Sequence, residues 1–279
     1  MFCPHEWCVA KSIASLSSAI HHHIRFYTKL PAQNRLDMAN KIRKRFYIQQ
    51  SLLFIFSTAL FLHANAQDSG FVRPPVTNKL TDYRAQVKND PSKKMVELKT
   101  FIPGIIYDLR YATTNNFMHR LMYPENTTIT FMRFPAAEAL QKVQTELNEN
   151  GLGLKVFDAY RPYSVTVKFW ELVHDERYVA NPSKGSGHNR GIAVDLTIIN
   201  LKTGKELNMG TGFDNFTDTA HQTFTNLPEE ILQNRGLLRS TMEKYGFKAF
   251  DTEWWHFFLN NGSRFEILDI DFKKLKKEL

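Results

Sequence analysis

Two short stretches concentrate the residue types that do metal chemistry. In Gly185-Ser186-Gly187-His188-Asn189-Arg190-Gly191-Ile192-Ala193-Val194-Asp195, a histidine and an aspartate stand seven positions apart at the edge of an apolar run. Near the C-terminus, Glu253-Trp254-Trp255-His256 adds a second imidazole and a second carboxylate. Two His, one Asp and a further Glu make up what a catalytic zinc site needs: three ligands, one open position and a base. Each stretch alone is ambiguous. A His in a Gly-rich loop and an Asp on a strand are common without metal. Glu253 to His256 reads equally well as an aromatic core strand with one satisfied His and an exposed Glu. The glycines beside His188 favour chemistry, because they permit close backbone approach and unusual dihedrals. So does Asp195, whose charge in an apolar strand is costly unless a cation or hydrogen bonds compensate it.

The elements that must position these groups follow from periodicity. Ile192, Val194, Leu196 and Ile198 share one face of a strand, which turns Asp195 to the other. Glu253 and His256 are three apart and point to opposite faces of a regular strand. Glu253 must therefore lie just before the strand, or a bulge must re-aim it. A strand over 152–157 turns through Asp158-Ala159-Tyr160-Arg161-Pro162 into a helix over 163–173. Arg161 falls at that junction, a rim position, although by itself it reads as a surface salt-bridge partner. Further helices are expected over 80–88, over 136–150 behind Pro135 and ahead of Gly151, and over 228–245 ahead of Gly246. Strands are expected over 95–101, 104–112 and 253–259. Residues 113–130, 182–190 and 200–226 read as loops, the last long enough to be functional. The tail from Asp271 reads as a charged, frayed helix. One α+β domain over about 75–275 accounts for this order.

The net charge of +8 is uneven. Eight of the 36 Lys and Arg but only two of the 28 Asp and Glu lie in residues 1–66, leaving 28 basic against 26 acidic residues beyond. No basic patch for nucleic acid emerges. The N-terminal charge belongs to a targeting pattern: Lys41, Arg43, Lys44 and Arg45, an apolar run from Ser51 to Leu62, and Ala64-Asn65-Ala66. Cleavage after Ala66 predicts a mature start at Gln67, export to the periplasm and no lasting membrane insertion. Met38 is the natural start of that signal, which makes 1–37 an extension. His21-His22-His23 falls inside the extension and is not read as a metal site. Both cysteines, Cys3 and Cys8, also precede the cleavage point, so the mature chain has no disulfide, thiolate ligand or Cys nucleophile.

The motif Ser186-x-His188-x-x-Gly191-x-Ala193-x-Asp195, followed by Glu253-x-Trp255-His256, resembles the signature of zinc peptidases with the Hedgehog/DD-peptidase fold. More narrowly, the chain resembles the D-alanyl-D-alanine dipeptidases (VanX type). Arg110-Tyr111-Ala112-Thr113, Asp158 to Pro162, Met209 to Asp214 and Asn234-Arg235-x-Leu237-Leu238 match in the same order, over about 95–260. The resemblance implies a central, mostly antiparallel sheet with flanking helices. It divides the chain into an extension (1–37), a signal peptide (38–66), a linker or N-terminal arm (67–94) and a zinc dipeptidase domain (95–279). It implies one zinc per chain on His188, Asp195 and His256, with metal-activated water and Glu253 as general base. Arg161 would stabilise the oxyanion, Ser186 and Asp214 would hold the substrate, and Tyr111 would line the pocket. The implied substrate is D-Ala-D-Ala. A D,D-carboxypeptidase or peptidoglycan endopeptidase, and a catalytically silent zinc-binding module, are the alternatives. Relatives linked to glycopeptide resistance act on a cytoplasmic dipeptide pool that an exported chain would not reach. Scavenging of wall-derived dipeptides fits export better.

Overall fold

A computed structural model of the chain describes residues 71–260 and 262–279, with scattered positions between 31 and 44. The signal-peptide cleavage site, the His21–His23 run and both cysteines lie outside the described residues. By its contacts, Ser69–Leu279 forms one unit.

The chain runs through β1 (Val76–Thr77), α1 (Leu80–Asn89), β2 (Met95–Glu97), α2 (Leu98–Phe101), β3 (Ile106–Tyr107) and β4 (Phe131–Arg133). Next come α3 (Phe134–Glu149), β5 (Leu152–Asp158), α4 (Tyr163–Val173), α5 (Gly187–Arg190) and β6 (Ala193–Asn200). It ends with α6 (Glu229–Lys244), β7 (Phe247–Phe250), β8 (Glu253–Leu259), β9 (Ile267–Leu268) and α7 (Phe272–Lys276). The main sheet has the order β3-β5-β6-β8-β7. Only β3 and β5 run parallel, so the α+β, mostly antiparallel arrangement expected from the sequence is the one observed.

The stripe Ala136, Ala139, Leu140, Val143 and Leu147 buries α3 against the sheet, and Pro135 occupies the first turn, where its missing N–H costs nothing. Val194, Leu196 and Ile198 of β6 share that core with Leu238 and Met242 of α6. Asp195 and Thr197 fall on the opposite face and are also buried. A second, aromatic core holds Tyr111, Tyr123, Phe131, Tyr160, Phe169 and Phe272.

Five expectations are corrected. The strand over 95–101 stops at Glu97, because the Glu97 carboxylate accepts from the Thr100 N–H (2.7 Å) and starts a helical turn instead. In 104–112 only Ile106–Tyr107 joins the sheet, and Arg110–Ala112 is a 3₁₀ turn. The loop over 182–190 contains α5, whose first turn is closed by a reciprocal pair between Ser186 and Asn189. Residues 76–93 are no linker: β1 pairs with β9, and buried Tyr83 accepts a hydrogen bond from the Met95 N–H (2.7 Å). The tail is not frayed either, since Phe272 and Leu275 are buried and Asp271 caps α7 by accepting from the Lys274 N–H (3.1 Å).

Gly191 ends α5 with φ of 70°, and a Cβ there would stand 2.7 Å from Met95 Cε. Gly151 ends α3 with φ of 69° but faces open space. Gly151→Ala should therefore cost only the left-handed penalty, about 1–2 kcal/mol. Gly191→Ala should cost about 1–3 kcal/mol more, because Met95 must also be displaced. Urea unfolding of the two variants tests this, and equal losses would contradict it.

Candidate active site

Asp158, Asp195 and His256 form a row across three strands. Asp158 is the cross-strand partner of Asp195, and Asp195 that of His256. Directly opposed residues in antiparallel strands carry their side chains on the same face. Register alone thus brings the second carboxylate to the second imidazole. His188 arrives from α5, where Gly187 lets the turn close on β6: a Cβ at 187 would lie 2.8 Å from Ala193 Cβ.

His256 Nδ1 is 2.8 Å from Asp195 Oδ1, and His188 Nε2 is 3.4 Å from Asp195 Oδ2. The two ring nitrogens are 3.3 Å apart. One ligand atom from each of the three residues falls within 4.8 Å of the others. His188 Nδ1 lies 2.7 Å from the Ala159 carbonyl oxygen, so Nδ1 carries the proton and donates it, leaving Nε2 as the lone-pair donor. Two imidazoles and one carboxylate suit zinc. Burial works against a charge on Asp195, but the two imidazoles outweigh it and hold the carboxyl well below its usual range. Burial likewise opposes a charge on His256, yet Asp195 beside it raises the imidazole pKa.

The facing problem of Glu253 and His256 is solved by a break in register. Phe250 opposes Glu253, while the next residue back, Ala249, opposes Phe257. Glu253 is the first residue of β8 rather than lying before it, so the bulge is the solution that operates. Glu253 Oε2 comes to 3.7 Å from His256 Nδ1. Burial pushes Glu253 up to about 7, with the Asp195 charge adding to the rise and His256 opposing it.

Arg161 is buried at the β5–α4 junction. Its Nε and Nη2 both donate to Asp158 Oδ2, at 3.0 and 2.8 Å. The guanidinium lies over the Tyr111 and Phe169 rings at 5.2 and 5.0 Å. The other Asp158 oxygen accepts from the Tyr123 hydroxyl and from the Ala159 N–H. Asn189 ties this junction to α5, donating to the Arg161 carbonyl and to Thr166 Oγ1, both at 2.8 Å. Asp214, with φ of 60°, accepts from the Tyr111 hydroxyl at 3.0 Å through Oδ1. Its Oδ2 is buried without a partner among the described residues. Burial and then the Asp195 charge push Asp214 well above the usual carboxylate range, against the pull of Tyr111. Ser186 Oγ is occupied as acceptor of the Asn189 N–H (3.2 Å), and its own proton remains to donate.

Tyr111, Arg161, Ser186, His188, Asp195, Asp214, Glu253 and His256 thus line one cavity of about 200 Å³. That is below the roughly 300–1,000 Å³ usual for drug-sized ligands, and suits a small substrate. A larger cleft of about 720 Å³ between α3 and Lys244–Tyr245 holds none of these groups, so size does not select the site.

Residues 91–274 match the Peptidase M15 family, described as D-ala-D-ala dipeptidase. The chain belongs to this family. It is a metallopeptidase, and its relatives agree. The D-alanyl-D-alanine dipeptidase of Escherichia coli K12 is 32% identical over 179 residues, 64% of this chain and 91% of that protein. The Enterococcus faecium and Streptomyces coelicolor dipeptidases are each 32% identical, over 90% and 87% of their lengths. The solved LdcB LD-carboxypeptidase aligns with a TM-score of 0.35 at 20% identity, over 61% of this chain and 69% of that one, too low to argue from.

All eight residues singled out in the sequence meet at the cavity of this peptidase. Sequence reasoning missed the supports. Asp158 stood in the Arg161 motif without a role, although a carboxylate three residues before an Arg was a usable signal. Tyr123 gave none. Asn189, next to His188, was passed over because a loop rather than a capped turn was expected.

The raised Glu253 has a measurable consequence in the peptidase stripped of metal. The folded state keeps the Glu253 proton up to about pH 7, whereas the unfolded chain releases it near 4.5. Stability from this group is therefore full below about pH 4.5 and lost as pH rises to 7, on the order of 3 kcal/mol. Glu253→Gln should flatten that slope in urea unfolding across this pH window. An unchanged slope would mean that Glu253 titrates normally.

Proposed function

We propose that the protein is a zinc-dependent dipeptidase of D-Ala-D-Ala, with one zinc held by His188, Asp195 and His256. The observation that carries this reading is the meeting of those three donors with Glu253 and Arg161 in one small cavity. The names of the relatives supply the substrate. When bound, zinc supplies Lewis acidity that lowers the pKa of water to about 7 and polarises a peptide carbonyl. Glu253 then accepts the proton of the attacking water and passes it to the leaving amine. Arg161, fixed by Asp158 and by two aromatic rings, presents positive charge to the carbonyl oxygen as negative charge develops there. A donor held in place before the reaction needs no reorganisation during it. The unpartnered oxygen of Asp214 receives the substrate ammonium, while Tyr111 holds the other oxygen. Ser186 keeps a hydroxyl proton to donate to the substrate.

Metal analysis and a D-Ala-D-Ala hydrolysis assay test this directly. One zinc per chain and loss of activity on chelation are expected. Glu253→Gln should keep the zinc and lower kcat by about 10²–10⁴. Arg161→Lys, which keeps a charge against Asp158, should lower kcat by about 10²–10³ at unchanged zinc content. Wild-type turnover in either variant would remove that residue from its role. We also propose export, with cleavage after Ala66. N-terminal sequencing of protein from a periplasmic fraction should read from Gln67, and an uncleaved or cytoplasmic product would refute it.

A further inference from the structure

Three aromatic side chains from three separate segments meet over the cavity. Phe117 comes from loop 113–130, Tyr178 from the segment between α4 and α5, and Phe216 from loop 200–226. Phe216 meets Phe117 edge-on at 5.1 Å and Tyr178 at 4.9 Å. Phe117 also stacks on Phe169 of α4 at 5.8 Å. All three line the cavity and all are half-buried.

This roof covers the Asp214 end. Phe216 stands two positions beyond Asp214, and Tyr111, which donates to Asp214, has its ring 6.4 Å from Phe117 and 4.9 Å from Phe169. The loops bearing Phe117 and Phe216 are tied down. Buried Asn116 donates to the carbonyls of Arg110, Thr113 and Arg120. Arg235 of α6 donates to the carbonyls of Met209 and His221, on either side of Asp214 and Phe216. Asn234 beside it donates to the Asn208 carbonyl. The Asn234-Arg235 motif thus acts as a clasp on this loop. A roof on anchored loops is a fixed stop.

We propose that Phe117, Tyr178 and Phe216 determine substrate length, by blocking any residue attached to the amino side of the dipeptide. The proposal rests on the reading that Asp214 receives the substrate ammonium. Charge and space then make separate demands. Asp214 asks for a cation, and the roof asks that the chain end there. One further residue would put its backbone where the rings lie and carry its ammonium past Asp214.

The test compares kcat/KM of the zinc enzyme for D-Ala-D-Ala and for a tripeptide with one more residue on its amino side. Phe216→Ala and Tyr178→Ala should each raise the tripeptide-to-dipeptide ratio by at least about 10-fold, the scale of a pocket gaining or losing a small group. Asp214→Asn should lower dipeptide turnover without raising the tripeptide rate. If Phe216→Ala does not fold, Phe216→Leu and Tyr178→Ala carry the same comparison. A ratio that stays at the wild-type value in folded, zinc-loaded variants overturns the roof alone. A wild-type enzyme that cleaves the tripeptide as well as the dipeptide also overturns it. Wild-type protein that cleaves neither refutes the dipeptidase reading itself.

Discussion

Two buried carboxylates in register, Asp158 on β5 and Asp195 on β6, set the terms for the rest of the site. Neither can stay ionised in a packed interior without compensation, and the two repel each other. The fold answers them differently. Asp158 is met by the Arg161 guanidinium, the Tyr123 hydroxyl and a backbone N–H. Among the described residues, Asp195 is met by two imidazoles, which are as able to coordinate a cation as to share a proton. The strand pairing thus sets a carboxylate held by an arginine beside one whose partners could share a cation with it. A buried ion pair such as Asp158–Arg161 is a weak source of stability. Its use here is placement: it holds a guanidinium at the cavity wall.

The same crowding explains the remaining acids. Glu253 and Asp214 are pushed upward first by burial and then by the Asp195 charge. A cation at the His188–Asp195–His256 group and an ammonium at Asp214 would each reverse the penalty on their neighbours. Metal binding, substrate binding and proton release are then linked. Part of the binding energy of metal and substrate goes into ionising the groups that act on the substrate. On the proposed mechanism, Glu253 is then the base, with an affinity for protons suited to neutral pH.

How much of this the sequence disclosed depends on the range of the interaction. The β6 alternation placed Asp195 opposite the core face because a period of two is a local property. The conflict between Glu253 and His256 was visible for the same reason, but left open whether Glu253 precedes the strand or a bulge re-aims it, and the structure contains the bulge. Local side-chain hydrogen bonds defeated the pattern where they closed a turn, at Glu97 and at Ser186 with Asn189. Tyr123 reaches Asp158 across 35 positions, and Phe117 meets Phe216 from a loop almost a hundred residues away. No spacing within either segment announces such pairs. They exist only because the sheet has already brought the segments together.

That hierarchy divides chemistry from selectivity. Asp195, His256 and Glu253 stand on β6 and β8, so their positions follow from strand register, while His188 stands on a capped turn packed against β6. Phe117, Asp214 and Phe216 stand on irregular segments pinned by single side chains, Asn116 and Arg235. Changing a residue in the row across the sheet disturbs paired charges and costs the fold as well as the reaction. Changing a ring in the roof leaves those paired charges in place. One arrangement of Asp158, Asp195 and His256 can therefore serve substrates of different length. On the proposed roof, that length is set by loops away from the reacting atoms.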